Sequence, residues 1–292
     1  MVQLTMNRVI SLAIATIGVG LPLLVAFGQT TETQTITIAV DDPRPMAAAV
    51  AKLEELSGIP INYEDMPVYA SGDLQERIPR NPNPLLKYFG ARGGRLSVPI
   101  AVDAAGKLSG TQAVEAALAE VVAAYNSSGM PGAFHYQFLN GVFFVRPIRF
   151  RDASGVTQPM PSILAGPVTL TEEKRSSDET VRLILDQISK QAGIELKRGT
   201  GAGGNFNVNF GAQGEPGYLA IARYLTTGRG TAVLPTDTNW DFGMSYRLLF
   251  DGNSKSFYAL NVHRVPNSPV FAPPPPSPPR PPRRPRATSR VP

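Results

Sequence analysis

One succession of elements is written into this chain twice, and that duplication limits the available folds more than any single motif. Thr35 to Val40 places Ile36, Ile38 and Val40 on one face, the period of a half-buried strand. From Pro45 onward, Met46, Val50, Leu53 and Leu56 recur every three to four residues. Pro45 suits a first helical position and Gly58 a left-handed stop. Ile59 to Tyr63 reads as a short strand. Leu96, Val98 and Ile100 alternate next, and Thr111 is placed to cap a second helix in which Val114, Leu118, Val121 and Tyr125 share a face, with Gly129 just beyond its end. Phe134, Tyr136 and Phe138 then alternate into Asn140-Gly141, and Val142 to Val145 return. An Asn-Gly pair between such runs signals a hairpin, because both central residues of a type I′ turn need positive φ.

The second pass begins at Val168 and Leu170. Val181, Leu185, Ile188 and Ala192 form a helical face, and Gly193-Ile194 repeats the Gly58-Ile59 stop. Phe206, Val208 and Phe210 alternate, a helix runs through Leu219, Ala222 and Leu225 to Gly228, and Tyr246, Leu248 and Phe250 lead through Asp251-Gly252 to Tyr258, Leu260 and Val262. Each helix offers one narrow apolar stripe, which a sheet with one alternating face can cover. The expected fold is therefore α+β: two small repeated modules, each a mixed sheet with two helices packed on one face and a terminal hairpin. The first module spans 34–150 and contains a Pro-, Gly- and Arg-rich stretch, 66–95, that reads as an irregular insertion. Residues 151–162 read as a linker and 163–266 as the second module.

The ends differ in character. Met6-Asn7-Arg8, an apolar run from Val9 to Phe27 and the small residues around Gly28 read as a signal peptide over 1–28, so the chain is expected to be exported to the periplasm or cell surface. A run of about 20 residues is also long enough to span a bilayer, which leaves an uncleaved membrane anchor as the alternative. The segment 267–292, with APPPPSPPRPPRRPRATSRVP from Ala272, cannot bury a core; it is expected to be a disordered polyproline II rod at about 3.1 Å per residue. Arg280, Arg283, Arg284, Arg286 and Arg290 make that rod cationic and are candidate contacts for anionic envelope polymers or lipid headgroups, against the plainer reading of a solvated spacer.

Charge and composition exclude several functions. There are 28 basic and 23 acidic residues, and removing the five tail arginines leaves 23 against 23, so the body is neutral. A folded nucleic-acid surface needs clustered Lys and Arg facing the phosphates, and none is expected here. With no cysteine there is no disulfide framework, thiolate metal site or Cys nucleophile.

LEELSGIPINYED (Leu53 to Asp65) with AVEAALAEVVAAYNSSG (Ala113 to Gly129), and ILDQISKQAGIELKR (Ile184 to Arg198) with PGYLAIARYLTTG (Pro216 to Gly228), resemble the short N-terminal periplasmic domain shared by secretins and TonB-dependent receptors. The resemblance covers about two thirds of the chain, in two copies, and consists of a hydrophobic pattern. It implies βαβ-rich modules that dock other envelope proteins or stack into rings, with no catalytic residue. The chain departs from that setting: no β-barrel follows, the first copy carries the 66–95 insertion, and the second ends in the Pro-rich tail.

The remaining motifs carry little chemistry. Gly199, Gly201 and Gly204 fit G-x-G-x-x-G, but an alternating strand follows where a dinucleotide site needs a helix N-terminus, so a turn is expected and no cofactor. Gly106-Lys107 lacks the upstream glycine of a phosphate loop. The two histidines, His135 and His263, lie far apart in hairpins and are expected to be ordinary strand residues rather than metal ligands. The pairs Asp41-Asp42, Glu54-Glu55 and Glu64-Asp65 are expected on solvated surface, since neighbours in sequence point to different faces. Phe134, Tyr136 and Phe138 with Phe144 read as a core face, with a glycan-stacking platform as the alternative. An open mixed sheet, by contrast, offers an edge that can accept a partner's strand. The expected function is an exported, non-enzymatic cell-envelope adaptor or assembly protein that binds other envelope proteins. The alternatives are a self-assembling ring component and an enzyme or small-ligand binder at 66–95, with Glu76, Arg77 and Arg80 as its polar residues.

Overall fold

A computed structural model describes residues 33–77, 88–202, 206–227, 243–252 and 256–265. The signal-like segment and the arginine-bearing tail lie outside them.

In chain order the first half contains β1 (Gln34–Asp42), α1 (Pro45–Ser57), β2 (Ile61–Glu64), β3 (Leu74–Arg77), β4 (Tyr88–Ala91), β5 (Gly94–Val102), α2 (Thr111–Ser127), β6 (Ala133–Leu139) and β7 (Val142–Arg151). After β8 (Thr157–Pro159), the second half contains β9 (Pro167–Ser176), α3 (Ser177–Ala192), β10 (Glu195–Arg198), β11 (Asn207–Pro216), α4 (Gly217–Thr227), β12 (Met244–Asp251) and β13 (Phe257–Arg264). The fold is α+β, with a mixed sheet and four α-helices among the described residues.

Local chemistry explains the helix ends. Pro45 opens α1, and Gly58 closes it in the left-handed region at φ 68°, its N–H donating to Glu54 O. Gly193 closes α3 in the same way at φ 65°, donating to Ser189 O. Ser176 caps α3 by accepting from the Glu179 N–H, and Asp178 and Glu179 favour the positive end of the helix dipole. Thr111 does not cap α2 as expected: Gly110 occupies that place at φ 86°, with no side-chain bond. Asn140 and Gly141 both take positive φ, 52° and 80°, as a tight β6–β7 hairpin demands.

One sheet runs through both halves, in the strand order β10-β13-β12-β2-β7-β6, with β8 also paired to β7. The same pattern occurs on either side of its middle: β2 runs parallel to β7, which is antiparallel to β6, and β10 runs parallel to β13, which is antiparallel to β12. The two patterns meet where β12 pairs in parallel with β2, Arg247 opposite Tyr63 and Leu248 opposite Glu64. It follows that β10 and β13 run opposite to β2 and β7.

The helices lie on opposite faces. Tyr63, Phe134 and Tyr125 of α2 stack together on one face, with centroids 5.7 and 5.0 Å apart, and α1 joins them there through its contact with Arg247. On the other face Phe144 stacks against Tyr218 of α4 at 5.3 Å, and α4 packs on α3. Phe144 therefore does not share the face of Phe134, Tyr136 and Phe138. The outer strand of each half does not enter the shared sheet. β1 pairs with β5 and β9 with β11, two antiparallel ribbons packed on the far sides of α1/α2 and α3/α4.

Two stretches read as irregular carry structure. Within 66–95, β3 and β4 form an antiparallel hairpin and β5 begins at Gly94, while within 151–162 β8 pairs with β7. Their Pro- and Gly-rich composition hid the pairing.

Candidate interaction site

The place where β12 meets β2 shows what this architecture does with a strand edge. Ile61 turns its N–H toward β12 and donates to Glu54 Oε1 at 2.9 Å; two residues on from Tyr63, Asp65 donates its N–H to Leu248 O at 2.8 Å. Tyr246 N–H donates to Asn62 Oδ1 at 2.9 Å. Arg247 lies over α1, donating to Ala47 O at 2.9 Å and to Glu54 Oε2 at 2.6 Å. Arg44, before α1, donates to Asp65 Oδ2 at 2.7 Å and to Phe250 O at 2.6 Å. Glu54 is 1% exposed and Asp65 5%, so these charges are desolvated and depend on their partners.

The opposite face of the seam is polar too. Glu64 is fully buried, and both its carboxylate oxygens accept from Ser162 Oγ at 2.8 Å. Burial pushes its carboxyl up to about 7, against the pull of Ser162, Arg146 and the Ile163 and Leu164 amides. Arg146 stacks on the Tyr218 ring at 4.1 Å and bonds Gln137. Tyr246 and Tyr258 keep buried hydroxyls with no hydrogen-bond partner among the described residues, and burial raises both phenols well above their ordinary range.

Here the structure corrects the reading of the carboxylate pairs. Asp41 and Glu55 are exposed as expected, but Glu54, Glu64 and Asp65 are buried at the seam. Adjacent residues do point to opposite faces; both faces are covered, because each half brings its own helices. His263 is likewise part of the seam, its Nε2 3.1 Å from Glu54 Oε2 and 2.9 Å from Ser245 Oγ. Serine and carboxylate meet the same ring nitrogen, so the three do not form the relay of a nucleophilic triad, which needs both nitrogens. His135 is half-buried, and burial, followed by the Arg146 charge, lowers its pKa.

Among the described residues, the second half repeats the groove without a strand to fill it. Leu196 N–H donates to Ser189 Oγ at 2.9 Å, as Ile61 does to Glu54, and Gly193 stands where Gly58 stands. Beside β10, a groove of about 530 Å³ opens between Ser176, Asp178, Arg182, Leu185, Leu196 and Arg198. Arg198 pairs with Asp178, and Arg182 with Asp186 at 3.1 Å. Among the described residues β10 is terminal in the sheet, and so is β6 at the other end. On β6 the Asn126 side chain holds the first outward rung, its amide donating to Phe134 O and its oxygen accepting from Phe134 N–H, both at 2.9 Å. Tyr136 and Phe138 turn the next outward rungs to the same side. Phe138 is 40% exposed.

Other sequence candidates fall elsewhere. Arg280, Arg283, Arg284, Arg286 and Arg290 lie outside the described residues. Glu76 is exposed on β3, and the side chains of Arg77 and Arg80 are outside the described residues. Gly201 takes φ 70° in the turn after β10, and Gly106 φ 71° in a turn after β5. Among the described residues there is no cluster of His, Asp and Glu suited to a metal ion, and no helix long and apolar enough to cross a membrane. No family model, curated protein or solved structure matches the chain.

Proposed function

We propose that this chain is an exported adaptor or assembly protein of the cell envelope, without catalysis, that holds other envelope proteins at the edges of its shared sheet. On this reading its halves are two modules of the secretin/TonB short N-terminal kind, fused edge to edge. The signal-like segment takes the chain to the periplasm or cell surface, or anchors it if uncleaved, and the arginine tail adds weak contact with anionic polymers or headgroups.

The observation that carries the reading is the contrast between two equivalent grooves. The α1–β2 edge is filled by a strand in parallel, while among the described residues no strand pairs at the α3–β10 edge. Backbone pairing at such an edge supplies affinity, and the flanking groove supplies selectivity.

The test places a photoreactive residue at Lys197 on β10, at Phe138 on β6, or at Ala116 on the exposed side of α2, and irradiates native envelopes. Capture of the same one or two identified envelope proteins from an edge position, through one extended peptide and not from Ala116, is expected. Equal capture from Ala116, or none from either edge, contradicts the reading.

A further inference from the structure

The two edges that no described strand covers are the counterparts of the two edges that meet at the seam. Ile61 lies opposite Phe143 and Leu196 opposite Tyr258, so β2 and β10 hold equivalent places. Phe138 lies opposite Phe143 and Phe250 opposite Tyr258, so β6 is the counterpart of β12 and His135 stands where Arg247 stands. The first rung is held by an asparagine side chain on both strands but from different sources: Phe134 N–H on β6 donates to Asn126 of its own α2, and Tyr246 N–H on β12 donates to Asn62 of the neighbouring β2.

The directions agree as well. Within one chain β6 and β10 both run opposite to β2. A second copy displaced along the sheet therefore brings its β10 beside β6 in parallel, as β12 lies beside β2. The helices would then alternate from face to face across the new join, as they do across the seam. The relation between the halves is a half-turn about an axis along the sheet combined with a shift. Such a head-to-tail contact has no built-in closure and leaves a complementary edge at each end.

We propose that chains associate end to end, β6 of one copy adding in parallel to β10 of the next, with His135 laid over the α3–β10 groove. This inference rests on the reading of the sheet edges as recognition surfaces and names a second copy as their occupant. The contact is weaker than the seam, because Ser189 and His135 replace the buried Glu54 and Arg247, and because the exposed pair Glu195–Lys197 (3.3 Å) charges the β10 edge. It is therefore a concentration-dependent association.

The chain contains no cysteine, so introduced thiols report without background. By the seam register, in which Arg247 faces Tyr63, His135 of one copy faces Arg198 of the next. Chains carrying His135→Cys mixed with chains carrying Arg198→Cys are expected to give one disulfide-linked dimer under mild oxidation, and neither alone is expected to crosslink. The double variant is expected to give a ladder of dimers, trimers and longer species. The off-register pair Leu139→Cys with Arg198→Cys is expected to crosslink at least about tenfold less. No crosslink in the mixture, or crosslinking of either single variant alone, overturns the proposal. If edge photoprobes capture another protein while the mixture stays uncrosslinked, end-to-end pairing fails and the adaptor reading stands. If chains crosslink only to each other, the reverse holds.

Discussion

Arg247 of β12 donates to Glu54 of α1 at 2.6 Å, joining residues 193 apart in the chain at the middle of one continuous sheet. The same carboxylate also accepts from Ile61 N–H and lies 3.1 Å from His263 Nε2, so a single buried group organises both halves.

Removing one member of that pair should therefore destabilise the whole body. Arg247→Met leaves Glu54 buried beside a neutral side chain and is expected to lower unfolding stability by about 3–5 kcal/mol. Adding Glu54→Leu should recover much of the loss, since the uncompensated charge is gone. Urea unfolding of the two variants beside the parent measures both effects.

Glu64 predicts a pH dependence. Burial raises its folded value to about 7 from the ordinary 4.5, so between these two values the folded chain binds more protons than the unfolded one. Its contribution to stability is greatest below pH 4.5, falls as pH rises toward 7, and is constant above. At about 1.36 kcal/mol per unit, the fall is about 3 kcal/mol. Glu64→Gln should flatten that slope in unfolding measured between pH 4.5 and pH 8.

Phe144 tests the face shared with α4. It is fully buried in β7 of the first half and stacks on Tyr218 of the second. Phe144→Ala should cost about 3–5 kcal/mol and keep a single unfolding transition. Two separated transitions would mean that the halves are held together mainly by this contact.

The left-handed stops predict a smaller, local effect. A Cβ at Gly193 meets open space, so Gly193→Ala is strained only by its φ of 65° and is expected to cost about 1–2 kcal/mol. Thermal unfolding of this variant checks the value.

What the sequence disclosed follows from how local each signal is. Gly58, Gly193 and Asn140-Gly141 are fixed by backbone sterics within a few residues, and the alternating strands and helical stripes lie close to their expected places. The seam is not local. Its partners Glu54 and Arg247, Asp65 and Arg44, Glu64 and Ser162 come from distant segments, so nothing near Glu64-Asp65 showed that both faces of β2 would be covered. One clue was present: Glu54 follows Val50 and Leu53 on the apolar side of α1, where a carboxylate needs a partner. The open groove beside β10 was beyond reach for the same reason, since it is visible only once the filled one is known.

Native-state hydrogen exchange compares the filled and open edges in one experiment. The Asp65 amide donates to Leu248 O across the seam. The Arg198 amide, two residues after the capped amide of Leu196, faces the open edge of β10. At concentrations low enough to keep copies apart, Asp65 should exchange only with global unfolding and Arg198 orders of magnitude faster. Exchange of Asp65 at a rate like that of Arg198 would contradict the shared sheet, and with it the account of the edges built upon it.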